Sequence, residues 1–364
     1  MISLKPRIID RYIMKKFILT FFIALLLIIG IVIIFDISEK IDDFVSNHVS
    51  LQEIVFTYYL NFIPYFVNMF SPLFVFITVI VFTSRMAANS EIVAILSGGI
   101  SYHRMMVPYV VSAAMIALLS LMLNMFVIPR SNEIRVDFEA RYIDHNKVFR
   151  RDNIHYQIAP GQFVYVESFN SWNNTAYRFS LESVEQNRIV SKLSADSAVW
   201  DSTAQAWHLR NYVIRDYTGG LRDQVRIGDQ LDTVIALTVT DFYRNSKTVE
   251  TLRARALDDL IRTQKMRGDA NVMYSQIEKQ RRMTLPFSAF ILTIMAVALT
   301  SKKKRGGIGW NIAIGIALAF LYILFLRFSE MFVYTATLPA WAALWLPNLI
   351  YTLIAAVLYK FAPK

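Results

Sequence analysis

Residues Phe17–Phe35 read FILTFFIALLLIIGIVIIF, nineteen positions without Asp, Glu, Lys, Arg or His. A hydrocarbon core of about 30 Å needs about 20 apolar residues in a helix. This run rises about 29 Å at 1.5 Å per residue. Five further stretches read the same way: Ile54–Ser84, Met105–Pro129, Met283–Ser301, Gly306–Leu326 and Met331–Tyr359. The longest exceed one perpendicular crossing but are too short for two, so tilt or an end in the headgroup layer takes up the excess. Pro64 and Pro72 lie inside the second stretch. Membrane bundles tolerate such prolines where neighbours satisfy the freed carbonyls. The first run follows a basic segment (Lys5, Arg7, Arg11, Lys15, Lys16). It is longer than a signal-peptide core and no small-residue cleavage site follows, so it reads as a retained helix.

The spans are grouped three and three around a polar insert, Arg130–Arg282. With the N-terminus inside, the inner segments carry Lys5, Arg7, Arg11, Lys15, Lys16, Arg85, Arg104, Lys302, Lys303, Lys304, Arg305, Lys360 and Lys364. The short outer loops carry only Lys40 and Arg327. By the positive-inside rule both termini are cytoplasmic and the insert is outside. The insert holds 23 basic and 20 acidic residues, so most of the formal +10 sits around the spans. The basic balance therefore signals orientation and anionic lipid, and nucleic acid is not an expected partner. The chain has no cysteine, which excludes thiolate metal sites and disulfides.

From Ile154 the insert alternates with period two. The candidate strands are Ile154–Ile158, Gln162–Glu167, Ala176–Ser183, Ile189–Trp200, Ala206–Asp216, Gln224–Ile227 and Leu231–Leu237. Turn residues such as Pro160-Gly161, Asn173-Asn174 and Gly219-Gly220 separate them, which predicts antiparallel β structure of sandwich or jelly-roll class. Trp200 and Trp207 flank a predicted hairpin tip and read as core residues. After Thr248, Leu252, Ala256, Leu260 and Ile261 recur at helical spacing. The predicted organisation is 1–129 for spans one to three, with a short helix near 86–97, and 130–247 for the β domain. Within the latter, 130–150 extends span three as a helix. Residues 248–282 are helical connectors and 283–364 hold spans four to six.

No P-loop, H-E-x-x-H or G-x-S-x-G motif is present. The five histidines (48, 103, 145, 155, 208) are scattered. No cofactor or metal is expected, and the chain reads as a transport subunit rather than an enzyme. The apolar runs lack the charges of an ion-coupled pump, so uphill transport needs an outside energy source. The loop Arg85–Ser101 predicts a short amphipathic helix with Met86, Ile92, Val93, Ile95 and Leu96 as apolar surface. Ser90 or Asn89 would cap it, Glu91 lies in its first turn, and Gly98-Gly99 stops it. It fits a docking helix for a partner protein, against the alternative of a helix lying on lipid.

Four motifs resemble the lipopolysaccharide export permease family of the LptF/LptG type. They are Ile9–Lys15 (IDRYIMK), Asn89–Gly99 (NSEIVAILSGG), Val127-Ile128-Pro129 and Gly161–Glu167 (GQFVYVE). The resemblance covers essentially the whole chain. It implies a bacterial inner-membrane protein with an inserted periplasmic β-jelly-roll-like domain. It also implies a second permease subunit of the same family, a cytoplasmic ABC ATPase dimer and periplasmic jelly-roll bridge proteins. Lipopolysaccharide would be extracted from the outer leaflet of the inner membrane. ATPase coupling would fall to Arg85, Ser90, Glu91, Ile92, Ile95 and Leu96. Contact with the phosphorylated headgroup would fall to Lys40, Arg130, Arg135 and Arg327, although Glu39, Asp42 and Asp43 crowd Lys40 and Glu330 can pair with Arg327. The rival expectations are a non-transporting scaffold or receptor and a permease for another lipid or lipoprotein.

Overall fold

The computed structural model describes residues 8–143, 150–217, 222–243, 246–269, 271–301 and 307–362. Lys5, Arg7, His145, Gly219-Gly220, Lys302–Arg305 and Lys364 lie outside these residues. The helices are α1 (Ile8–Ser46), α2 (Leu60–Ala88), α3 (Glu91–Ser97), α4 (Tyr102–Met122), α5 (Ile128–Tyr142), α6 (Val239–Tyr243), α7 (Ser246–Glu250), α8 (Ala254–Arg267), α9 (Val272–Thr300), α10 (Gly307–Tyr334) and α11 (Ala340–Lys360). The strands are β1 (Arg150–Ala159), β2 (Gln162–Asn170), β3 (Thr175–Glu185), β4 (Arg188–Asp201), β5 (Ala206–Asp216) and β6 (Gln224–Thr233). Two compact units result. One comprises Met1–Phe138, Glu250–Arg253 and Gln276–Lys364, and the other Glu139–Val249 and Ala254–Ser275.

Among the described residues six helices are long and apolar enough to cross a membrane, and most of their length lies in the first unit. Helix α1 is 39 residues long, far more than its nineteen-residue apolar run. Past that run Asp36 and Lys40 pair across one turn, Nζ to Oδ1 2.7 Å, which supports the continuing helix. Ile13, Phe17, Phe21 and Leu25 recur every four residues and form the buried stripe of α1. Phe17 meets Phe82 of α2 at a centroid distance of 5.8 Å, and Phe82 stacks on Tyr109 of α4 at 5.3 Å. Leu26, Leu27 and Ile34 point outward and are exposed. In lipid, apolar exposure costs little, so packing carries helix association. Gly315 of α10 shows how close that packing is: an added Cβ would lie 2.3 Å from Ile80 Cδ1 of α2.

Two π-helical stretches interrupt the spans. Glu53–Tyr59 leads into α2, and Leu123–Val127 joins α4 to α5. The second contains Asn124, whose side chain is turned inward onto Asn68 of α2. Asn68 Oδ1 also accepts Ser120 Oγ at 2.6 Å, and Asn124 Nδ2 donates to the Ser120 carbonyl at 3.0 Å. Local widening of this kind is common at functional sites.

The second unit contains a six-stranded antiparallel sheet whose strand order follows the chain. The inserted β domain expected from the alternation is present, as one meandering sheet with simpler connectivity than a double-sheet sandwich. The two last candidate strands are a single strand, β6. Gly228 does not break it, because the Tyr212 ring lies over that position and an added Cβ would come within 2.7 Å of the ring. Residues Val234–Leu237 lie beyond β6, and Ile235, Leu237, Val239 and Phe242 pack on the buried face of the sheet. Phe169 and Phe242 stack at 4.4 Å. Trp207 is buried, pairs with Trp200 across β4 and β5, and donates Nε1–H to the Leu237 carbonyl at 2.8 Å. On α8 the buried positions are Leu257, Leu260, Ile261 and Gln264. Ala256, grouped with that face by the sequence, is exposed.

Candidate lipid cavity and coupling helix

Within the helical unit, a cavity of about 230 Å³ opens between α2, α9 and α10. Phe70, Leu73, Leu285, Ile323 and Leu326 supply apolar walls, and Asn68 and Asn124 add a polar patch. Its remaining wall carries Glu278, Arg281 and Arg282 of α9 with Arg327 and Glu330 of α10. Apolar walls with a few convergent charges are what an amphiphile with an anionic head requires.

The charges are interlocked. Arg281 Nη2 donates to Glu330 Oε1 at 2.7 Å and lies 3.6 Å from Glu278. Arg282 donates to Glu278 Oε1 at 2.8 Å and to the Leu252 carbonyl at 2.8 Å. Arg327 donates to Glu330 Oε2 at 3.2 Å, the i,i+3 pair that the sequence allowed. Arg135 of α5 lies over the Tyr65 ring at 4.9 Å and 3.9 Å from Glu250 Oε2. Glu250 Oε1 accepts the Tyr65 hydroxyl at 3.1 Å. Burial pushes the Glu250 carboxyl from 4.5 up to about 7. Glu278 adds to the rise, and Arg281 and Arg135 oppose it.

The four cations expected to meet a headgroup do not form one cluster. Arg135 and Arg327 belong to this network, but only Arg327 has an accessible side chain, at 58% exposure against 7% for Arg135. Arg130 is exposed on α5. Lys40 belongs to a separate cluster between α1 and the π-helical stretch before α2, bonding Asp36 and the Tyr58 hydroxyl. Tyr59 donates to the other Asp36 oxygen at 3.0 Å. Its acidic surroundings were visible in the sequence, but the tyrosines that complete its shell were not. Glu250, Glu278, Arg281 and Arg282 are not among the residues the sequence singles out, whereas Glu330 is, as the partner of Arg327. The available signal was the charge density of Glu278–Arg282 directly before an apolar run, together with Asn68 and Asn124 inside two others.

The short helix near 86–97 is Glu91–Ser97. Met86 and Arg85 belong to the last turn of α2, and Met86 is fully buried there. Ser90 does not cap α3 through its side chain; it sits at φ 61°, in the left-handed region, where it turns the chain between α2 and α3. At the other end Gly99, at φ 81°, donates N–H to Leu96, and Ile100 donates to Ile95. This is a Schellman stop, and the left-handed position favours glycine. Ile92 is buried and Ile95 and Leu96 are half-buried against the bundle, so they anchor α3. The outward face is Val93, Ala94 and Ser97, with Arg85 also exposed.

Glu91 is held from α1. Tyr12 donates its hydroxyl to Glu91 Oε2 at 2.9 Å, and Lys16 Nζ lies 3.8 Å away. One turn earlier, Asp10 takes a two-pronged bond from Arg104 of α4, at 2.8 and 2.5 Å. Thus Asp10 and Tyr12 of the opening IDRYIMK motif bond to Arg104 of α4 and to Glu91, the first residue of α3. Two segments distant in sequence form one assembly.

The family described as "Lipopolysaccharide export system permease LptF/LptG" matches residues 11–360. The chain belongs to this family. No curated protein matches the chain at a significant level. The match spans both helical triplets and the β insert, so the permease is a multi-pass membrane transport subunit of that family over nearly its whole length.

Proposed function

We propose that this permease is one half of an ATP-driven lipopolysaccharide exporter in a bacterial inner membrane. It works with a second permease of its family and a separate cytoplasmic ATPase dimer. The single observation that carries the reading is the family match over residues 11–360. The cavity supports it: its apolar walls suit acyl chains, and Arg281 and Arg327 suit phosphate. In this reading a lipid phosphate competes with Glu330 for both guanidinium groups. The orientation follows from the basic residues, with α3 and both termini cytoplasmic and the β unit periplasmic. The β unit hands lipid to periplasmic jelly-roll bridge proteins.

The ATPase docks on the outward face of α3, Val93, Ala94 and Ser97, with Arg85 at its edge. Glu91 passes the motion to α1 through Tyr12 and Lys16. Val93→Asp should therefore abolish co-purification of the ATPase while leaving the bundle folded. Glu91→Lys should keep the complex but lower ATP-coupled transport by about ten-fold, as loss of one charge-assisted contact of 1.5 kcal/mol or so would do. Retention of both complex and coupling in the two variants would refute the docking assignment. For the cargo, a photo-crosslinking residue at Arg327 should capture glycolipid. Capture of protein alone would refute that contact.

A further inference from the structure

Glu330 joins two arginines on the charged wall of the cavity. Its Oε1 accepts Arg281 Nη2 at 2.7 Å and its Oε2 accepts Arg327 Nη1 at 3.2 Å, one oxygen to each guanidinium. The carboxylate side chain is 6% exposed, whereas Arg281 is partly and Arg327 largely open. Arg282 is committed elsewhere, to Glu278 Oε1 and to the Leu252 carbonyl, both at 2.8 Å. Glu278 stands 3.6 Å from Arg281, and Glu250 stands 4.0 Å from it. Glu330 is therefore the near anion for the two guanidinium groups that a ligand in the cavity can reach.

A single carboxylate bridging two guanidinium groups does what a phosphate would do with two of its terminal oxygens. The exchange has a sign that this geometry sets. A phosphate that takes Arg281 and Arg327 leaves a buried carboxylate without its partners, which costs free energy. It also places two anions side by side, which repel. Both effects oppose binding and favour the return of Glu330 to the arginines. A terminal phosphate monoester carries more charge than a carboxylate and three acceptor oxygens, so it can enter against that opposition.

Building on the assignment of the cavity to a lipid phosphate, we propose that Glu330 is the release element of this site. It occupies the two arginines when the site is empty and drives the phosphate off when the site is full. The ligand is a lipid with a terminal phosphate monoester, its acyl chains along Phe70, Leu73 and Leu285. A Glu330 that only held the arginines in place would have the opposite effect on affinity, since its loss would then weaken binding.

The sign is measurable on the full chain in detergent micelles, with no partner protein. The probe is phosphatidic acid with a fluorophore on one acyl chain, followed by anisotropy. Diacylglycerol with the same label reports the acyl contacts alone. Glu330→Gln should bind the phosphatidic acid about ten-fold more tightly than the parent, the worth of one charge-assisted contact. In a chase with unlabelled lipid it should also release the probe about ten-fold more slowly. Diacylglycerol should bind the two chains equally, and Glu330→Asp, which keeps the charge, should bind as the parent does. Glycerol 3-phosphate, the same head without acyl chains, should fail to displace the probe at concentrations at which phosphatidic acid succeeds. Weaker or unchanged binding by Glu330→Gln would overturn the proposal and make Glu330 a brace for the arginines. Equal displacement by glycerol 3-phosphate would also overturn it, since the ligand would then be a soluble phosphate. Phosphatidic acid that binds the parent no more tightly than diacylglycerol would remove the phosphate site itself, and with it the contact assigned to Arg327.

Discussion

Glu250 shows how a single residue sets the tone of the charged cluster. Its carboxyl is buried beside Tyr65 of α2, Arg135 of α5, and Glu278 and Arg281 of α9. Its two guanidinium neighbours sit near 4 Å, too far to repay desolvation. The folded state therefore binds a proton more tightly than the unfolded chain. The resulting stabilisation is present at low pH and is lost as pH rises from 4.5 through about 7. At 1.36 kcal/mol per unit the difference is roughly 3 kcal/mol. Glu250→Gln keeps an oxygen for the Tyr65 hydroxyl and removes the titration. Thermal melts should show the gap between variant and parent widening in the variant's favour from pH 5 to pH 8, and a constant gap would contradict the account. In the β unit, His208 lies 2.5 Å from Asp232 and 3.3 Å from Asp201. These bonds, that to Asp232 first, raise its pKa above the ordinary 6.5. NMR titration should find the midpoint above that value, and Asp232→Asn should bring it down. A midpoint unmoved by that change would refute the assignment.

At the scale of elements, α2 and α10 pack closely at Gly315 and Ile80. Gly315→Leu should destabilise the bundle by roughly 1–3 kcal/mol, as overpacking does, with little effect on the β unit. Circular dichroism of the helical transition would register it, and an unchanged transition would show that the helices are not so close. The elements themselves were largely legible. Six charge-free runs of nineteen or more residues leave few alternatives to membrane helices, and period two marked the strands well. The failures have physical causes. The alternation breaks at Gly228, but the Tyr212 ring of the preceding strand, β5, covers that glycine. Met86 was counted on α3 because helical spacing continues across a turn that Ser90 makes without glycine. Past its apolar run α1 carries a pair, Asp36 with Lys40, that reads as loop charge until Tyr58 and Tyr59 are placed around it. Nothing in a linear pattern brings Glu250 to Arg135 or Asp10 to Arg104, since those pairings depend on how helices cross.

For the molecule as a whole, the helical unit and the β unit differ in what they hold. The bundle has a cavity with apolar walls and a charged wall, and the chain has no P-loop motif. The β unit has a buried aromatic core and, among the described residues, no cluster of side chains suited to a metal ion. In the proposed reading energy enters through a surface, and α3 is a short, firmly stopped helix tied to both α1 and α2. A partner that pushes on its outward face would move Glu91, Tyr12 and the α1–α4 ion pair together. The most direct test is lipid release. Proteoliposomes would hold the permease, its family partner and the ATPase, with lipopolysaccharide in the membrane and a soluble lipopolysaccharide-binding acceptor outside. ATP should drive lipopolysaccharide onto the acceptor, and Val93→Asp should abolish that transfer. A complex that hydrolyses ATP and moves no lipopolysaccharide would contradict the account.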